Sequence, residues 1–272
     1  MSQGASNIDH TTHPLLSALS TWTPGQTSYT YAFADAGEAV YKSSYTGGDD
    51  FPRAWTDEEK DSFRTVVARF EELCGLTFTE VSSNASSDLN LQMVDNVPGG
   101  WAGYATYGGP HYVVGGDGLA LLTHELGHSM WLSHSFDNGA LPGVTETHDP
   151  GDNGFNAEYY TAMAYRTGEI AEYPDVDFAN PDSLGVFDVA TLQAMYGANS
   201  TTRTGNDTYG VTDKIVTIWD AGGNDAIDFS TSRTDGVIDL RAATLLEEAG
   251  ETVHTLGQVS EGQGIRYTGA LL

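Results

Sequence analysis

The chain has 272 residues, enough to bury a substantial core as one large domain or as one domain with a smaller appendage, and 39% apolar residues exclude disorder by composition. Only 11 Lys and Arg stand against 38 Asp and Glu, a formal charge of −27, so no basic surface exists for nucleic acid. No run approaches the roughly 18 consecutive apolar residues of a membrane-crossing helix, and the lone Cys74 excludes an intrachain disulfide.

The first residues, MSQGASNIDHTTH, carry neither a basic n-region nor an apolar h-region, so no general secretory signal is expected at this end. Thr56 followed by Asp57, Glu58 and Glu59 has the form of a capping box. Phe63, Val66, Val67, Phe70 and Leu73 then recur at helical spacing up to Gly75, which predicts an amphipathic helix whose stripe is core. Leu76 to Val81 reads as a strand, and Leu89, Leu91 and Met93 alternate with polar neighbours in a second. Short edge strands and turns are expected through the glycine-rich stretch from Gly99 to Val114.

Asp117 or Gly118 opens a further helix through Leu119, Leu121, Leu122, His124, Glu125 and His128. Residues 135–158, rich in Asp, Asn, Gly and Pro, read as a long irregular loop. A last helix is predicted from Leu184 to Tyr196, burying Leu184, Phe187, Val189, Leu192 and Met195 and stopping at Gly197. From Thr201 the pattern changes to short alternating runs such as Ile215–Trp219 and Val237–Leu240. The division expected is a domain over residues 1–200 and a small β-rich piece over 201–272, in an α+β fold.

The chemistry concentrates in His124-Glu125-Leu126-Gly127-His128-Ser129-Met130-Trp131-Leu132-Ser133-His134. Two histidines four residues apart on a helix present imidazoles on one face, and His134 supplies a third ligand if the chain turns back after the helix. Three imidazoles with one position left open is the pattern of catalytic zinc, and Glu125 can reach a water there without being a ligand. His10, His13, His111, His148 and His254 lack such spacing and read as surface or turn residues. His148 with Glu146, Asp149 and Asp152 is the one other set that suggests a metal.

This pattern resembles the metzincin peptidases, and Tyr159-Tyr160-Thr161-Ala162-Met163-Ala164-Tyr165 is similar to the Met-turn of their serralysin branch. The resemblance implies a zinc endopeptidase with a twisted, mostly parallel sheet and an active-site helix. Met163 would then be the apolar base beneath the ligands and Tyr165 an oxyanion stabiliser. Asp188 to Asn199 resembles the helix that closes the serralysin catalytic domain, and Thr202 to Asp207 with Trp219 to Asp225 resembles its first calcium loops. Arg203, Gly205, Asp207, Asp220, Gly222 and Asp225 are the calcium residues this implies, beside the alternative of ordinary turn aspartates. It also implies extended protein or peptide substrates along Gly103, Tyr104, Ala105 and Thr106, a monomer, and export by a C-terminal signal that this chain lacks.

Two departures qualify the resemblance. Trp131 stands where the family carries glycine, so either the turn is built differently or the fold absorbs the strain of a bulky residue at positive φ. A metal-binding protein of impaired catalysis, or a recognition module, is the alternative this raises. The second departure is that only Gly222-Gly223-Asn224-Asp225 represents the calcium repeats, which leaves open a calcium-stabilised structural fragment.

Overall fold

The computed structural model describes residues 6–38, 52–137, 139–166, 184–210, 217–228, 230–231, 258–259 and 267–268. Its helices are α1 (Leu16–Leu19), α2 (Asp57–Leu73), α3 (Leu119–Ser129) and α4 (Val186–Tyr196). Its strands are β1 (Ser28–Phe33), β2 (Thr77–Glu80), β3 (Leu89–Met93), β4 (Gly103–Ala105), β5 (His111–Val114), β6 (Thr208–Gly210), β7 (Ala226–Asp228), β8 (Gln258–Val259) and β9 (Tyr267–Thr268). Among the described residues no helix is long and apolar enough to cross a membrane. The chain divides into two compact units, one comprising Pro24–Glu71 and Leu76–Ser133, the other Met1–Thr23, Glu72–Gly75 and His134–Leu272.

The first unit is built on a five-stranded sheet of order β2-β1-β3-β5-β4. The first four strands pair in parallel, and β4 closes one edge by pairing antiparallel with β5, Tyr104 opposite Val113. The result is a mixed α/β architecture with a mostly parallel sheet. Helix α2 begins as its sequence predicts: the Glu59 amide donates to Thr56 Oγ1 at 3.2 Å while the Thr56 amide donates to Glu59 Oε2 at 2.8 Å. Its stripe of Phe63, Val66, Val67 and Phe70 is buried, and the Phe63 ring packs against Tyr31, Phe33, Trp55 and Tyr112.

Strand β3 departs from the expected alternation. Leu89, Leu91 and Met93 are buried, but so is Gln92, at 3% exposure. The reason is position: β3 lies between β1 and β5, and a central strand of a mostly parallel sheet is covered on both faces.

In the second unit α4 is buried almost all round, from Val186 to Gln193 and again at Tyr196. Leu184, Phe187, Val189 and Leu192 lie inside as expected, whereas Met195, near the helix end, is only partly buried. Gly197 ends the helix at φ 83°. His10, read from sequence as a surface or turn residue, is buried at 6% exposure, and its Nε2 sits 2.9 Å from the Trp22 carbonyl. That single hydrogen bond satisfies the polar tip that burial removes from water. Beyond residue 200, β6 and β7 pair in parallel and β8 and β9 antiparallel. Of the predicted run Ile215–Trp219, Ile215 and Val216 lie outside the described residues and 217–219 form no strand, while Val237–Leu240 lies wholly outside them.

Candidate metal centre

Helix α3 carries Leu122 and Leu126 into the core at 0% exposure, and this anchoring fixes the rotation of the helix. His124 and His128 consequently share a face: their Nε2 atoms lie 3.1 Å apart with ring planes at 88°. Two tetrahedral zinc–nitrogen bonds of about 2.0–2.1 Å hold their nitrogens roughly 3.3 Å apart, so the pair has ligand spacing. His128 Nδ1 donates to the Leu132 carbonyl at 2.7 Å, which fixes the tautomer and leaves Nε2 as the lone-pair nitrogen.

The helix ends at Ser129 with Met130 as its C-cap, and Trp131 follows at φ 70°. The Trp131 amide donates to the His128 carbonyl and the Leu132 amide to the Gly127 carbonyl, both at 2.9 Å. This is the Schellman pattern, with a tryptophan at the left-handed position. The turn is therefore built as glycine would build it, and the backbone carries a strain of about 1–2 kcal/mol. The same cap brings the Leu132 carbonyl onto His128. Within the continuous stretch from His124 to His134, the three imidazoles each offer a ligand nitrogen, all within 4.8 Å of one another.

His134 Nδ1 donates to Asp137 Oδ2 at 3.0 Å, its ring stacks on Phe136 at 4.8 Å, and Tyr165 Oη lies 2.8 Å from its Nε2. Burial pushes the His134 pKa down, and the Asp137 carboxylate opposes that shift. Asp137 was not singled out by sequence reasoning; its signal was the carboxylate three residues after the third histidine. Each of His128 and His134 thus has the outer hydrogen-bond acceptor that metal-ligating imidazoles use. Tyr165 is 49% exposed, and Met163 is fully buried with its carbonyl accepting from the Ser135 amide at 3.3 Å.

Two further buried polar residues organise the loops near His134 and Met163, and neither had a local sequence signature. Asn156 accepts from Ser135 Oγ at 2.6 Å and donates to the carbonyls of Thr147 and Asp149, tying the long loop to the residue after His134. Asp188 accepts from Thr161 Oγ1 and the Ala162 amide, both at 2.6 Å, and from the Gly185 amide at 2.8 Å, so α4 holds the turn that carries Met163. Burial outweighs these bonds and pushes Asp188 up to about 6. A carboxyl raised in the folded state contributes stability below its unfolded pKa near 3.8 and loses it as pH rises through about 6. Between pH 4 and 6 the wild type should therefore lose about 2 kcal/mol relative to Asp188→Asn, read as the pH dependence of the difference in their denaturant midpoints.

Glu125 is 4% exposed, and burial pushes its pKa up to about 8. A dication nearby would pull it back. Its Oε2 has no hydrogen-bond partner among the described residues. Edge strand β4 lies against it: a Cβ added at Gly103 would fall 2.9 Å from Glu125 Oε1 and 3.0 Å from the Val113 carbonyl oxygen, so glycine allows this approach without displacing the carboxylate.

Among the described residues a second donor set converges, with carboxylate oxygens of Asp207, Asp220 and Asp225 within 4.8 Å of one another. Asp225 Oδ1 accepts the Asp207 amide at 3.0 Å, Asp220 Oδ1 accepts the Gly222 amide at 2.9 Å, and Tyr209 hydrogen-bonds Asp220. Arg203 pairs with Glu72; in sequence Gly205 precedes Asp207, and Gly222 lies between Asp220 and Asp225. The set around His148 does not converge: Asp149 instead accepts from Thr145 and the Gly151 amide.

Comparison with known proteins places these observations. Residues 186–265 match the family model described as Peptidase M10 serralysin C terminal. The chain is similar to a serralysin of Proteus mirabilis, 27% identical over 252 residues that cover 75% of this chain and 50% of the relative. It is 28% identical over 268 residues to serralysin B of Dickeya chrysanthemi, covering 84% of this chain and 54% of that one. It is 32% identical over 174 residues to a serralysin of Photorhabdus laumondii, covering 58% and 35%. The chain spans about half the length of the first two. Similarity at this level over most of the chain, with the C-terminal family match, makes the protein a relative of the serralysin-type metalloproteases.

Proposed function

We propose that the chain is a zinc-dependent endopeptidase of metzincin-like fold that hydrolyses extended protein or peptide substrates. The observation that carries this reading is the convergence of His124, His128 and His134. The donor set fits zinc, because it offers three imidazoles, two of them fixed by outer acceptors, beside a buried carboxylate that is not needed as a ligand. Bound there, zinc supplies Lewis acidity and brings the pKa of water towards about 7.

The chain's own residues account for the rest. Glu125 takes the proton of the attacking water and returns it to the departing amine. Tyr165, whose hydroxyl already meets His134 Nε2, donates to the developing oxyanion. Met163 supports the ligands from the turn held by Asp188. The outer edge of β4, from Gly103 through Tyr104 and Ala105 to Thr106, pairs with the substrate backbone, and the approach at Gly103 brings that backbone past Glu125. Because such pairing reads backbone, the substrate range is broad.

The reading extends to calcium at Asp207, Asp220 and Asp225, with backbone carbonyls of Arg203, Gly205 and Gly222 completing the oxygen set. It extends also to a monomeric, exported protein divided near residue 200, whose acidity keeps the surface strongly solvated. The test is cleavage of casein or a quenched peptide with and without chelator, alongside metal analysis of the same preparation. Chelator-sensitive cleavage is expected, and zinc binding without cleavage would favour the recognition-module alternative.

A further inference from the structure

Trp131 does more than end the zinc helix. Its indole lies across Gly108 so closely that a Cβ placed there would fall 2.0 Å from Cε2, 2.1 Å from Nε1 and 2.2 Å from Cζ2. Gly108 belongs to the turn that joins β4 to β5, where the Thr106 amide donates to the His111 carbonyl and the Gly109 amide to the Thr106 carbonyl, both at 3.0 Å. The neighbouring Tyr107 sets its ring edge-on to His128, with centroids 5.3 Å apart. Two aromatic contacts thus tie the tip of this hairpin to the C-terminal end of α3.

The contact has a mechanical consequence. Strand β4 has three residues, pairs on one side only among the described residues, and is entered through glycine. A short edge strand of this kind holds its position poorly unless something fixes its ends. A substrate that pairs with a loose strand must order it, and that ordering subtracts from binding.

We propose that Trp131 is a positioning residue: its indole, seated on Gly108, locks the β4–β5 turn onto the end of the zinc helix and so presets the edge strand on which the peptide backbone docks. The inference rests on the peptidase reading for its kinetic consequence, while the packing stands on its own. It also explains why a strained tryptophan occupies a helix end that glycine would form freely.

Two substitutions separate the indole from the backbone strain. Trp131→Gly removes both, whereas Trp131→Ala removes the indole and keeps a Cβ at positive φ. In zinc-loaded protein acting on a quenched peptide of at least six residues, both variants should raise KM roughly tenfold, with kcat within about threefold and one zinc per chain retained. Trp131→Gly should melt above Trp131→Ala. An unchanged KM in both would overturn the proposal, and a lowered KM in Trp131→Gly would show that the indole obstructs instead.

A melting cycle decides the packing without any activity readout. Gly108→Ala should cost much more in the wild type than in the Trp131→Gly background, because the added methyl meets the indole only in the former. Equal costs in the two backgrounds would overturn the clamp. A zinc-loaded wild type that cleaved nothing would count against the peptidase reading, and the melting cycle would still decide the clamp.

Discussion

Glu125→Gln should keep one zinc ion per chain and lower kcat by about 10²–10⁴-fold, the range of a single positioned acid–base group. The glutamine preserves shape and burial, so the proposed ligands on either side of it, His124 and His128, keep their geometry. What it removes is the carboxylate that lies against Gly103 of the edge strand. Metal analysis and steady-state kinetics on one preparation check both halves. Retained zinc with lost turnover assigns Glu125 to the proton transfer, whereas normal turnover would remove it from the mechanism.

The second large effect concerns His134, the third proposed ligand. His134→Ala leaves two imidazoles and should abolish both stable zinc retention on dialysis and hydrolysis. Asp137→Asn leaves the ligand but weakens the acceptor that orients it at 3.0 Å, and it should lower zinc affinity by 10–100-fold. The graded pair distinguishes a metal site from a merely structural histidine. If His134 only packed on Phe136, both variants would shift melting alone and leave zinc affinity untouched.

What sequence made legible was what local pattern encodes. The capping box at Thr56 and Glu59, the stripe from Phe63 to Phe70 and the histidine spacing on α3 all depend on neighbours within a few turns, and all appear where expected. Trp131 stood out because it broke a pattern. Its left-handed φ follows from the same Schellman cap, but its seat on Gly108 is a contact across 23 positions, from 108 to 131, that no periodicity records. Asn156 and Asp188 were illegible for the same reason, since each satisfies partners far along the chain and sits in a stretch that reads as loop or amphipathic helix. Gln92 shows the converse: an alternating strand looks half-exposed until the topology covers its second face.

The chelator-and-reload experiment tests the central claim most directly. The chain is stripped with 1,10-phenanthroline, assayed on a quenched peptide, then titrated with zinc. Cleavage should vanish on stripping and return in proportion to zinc, saturating at one ion per chain. Cleavage that survives stripping, or a fully reloaded protein that cuts no peptide, would contradict it.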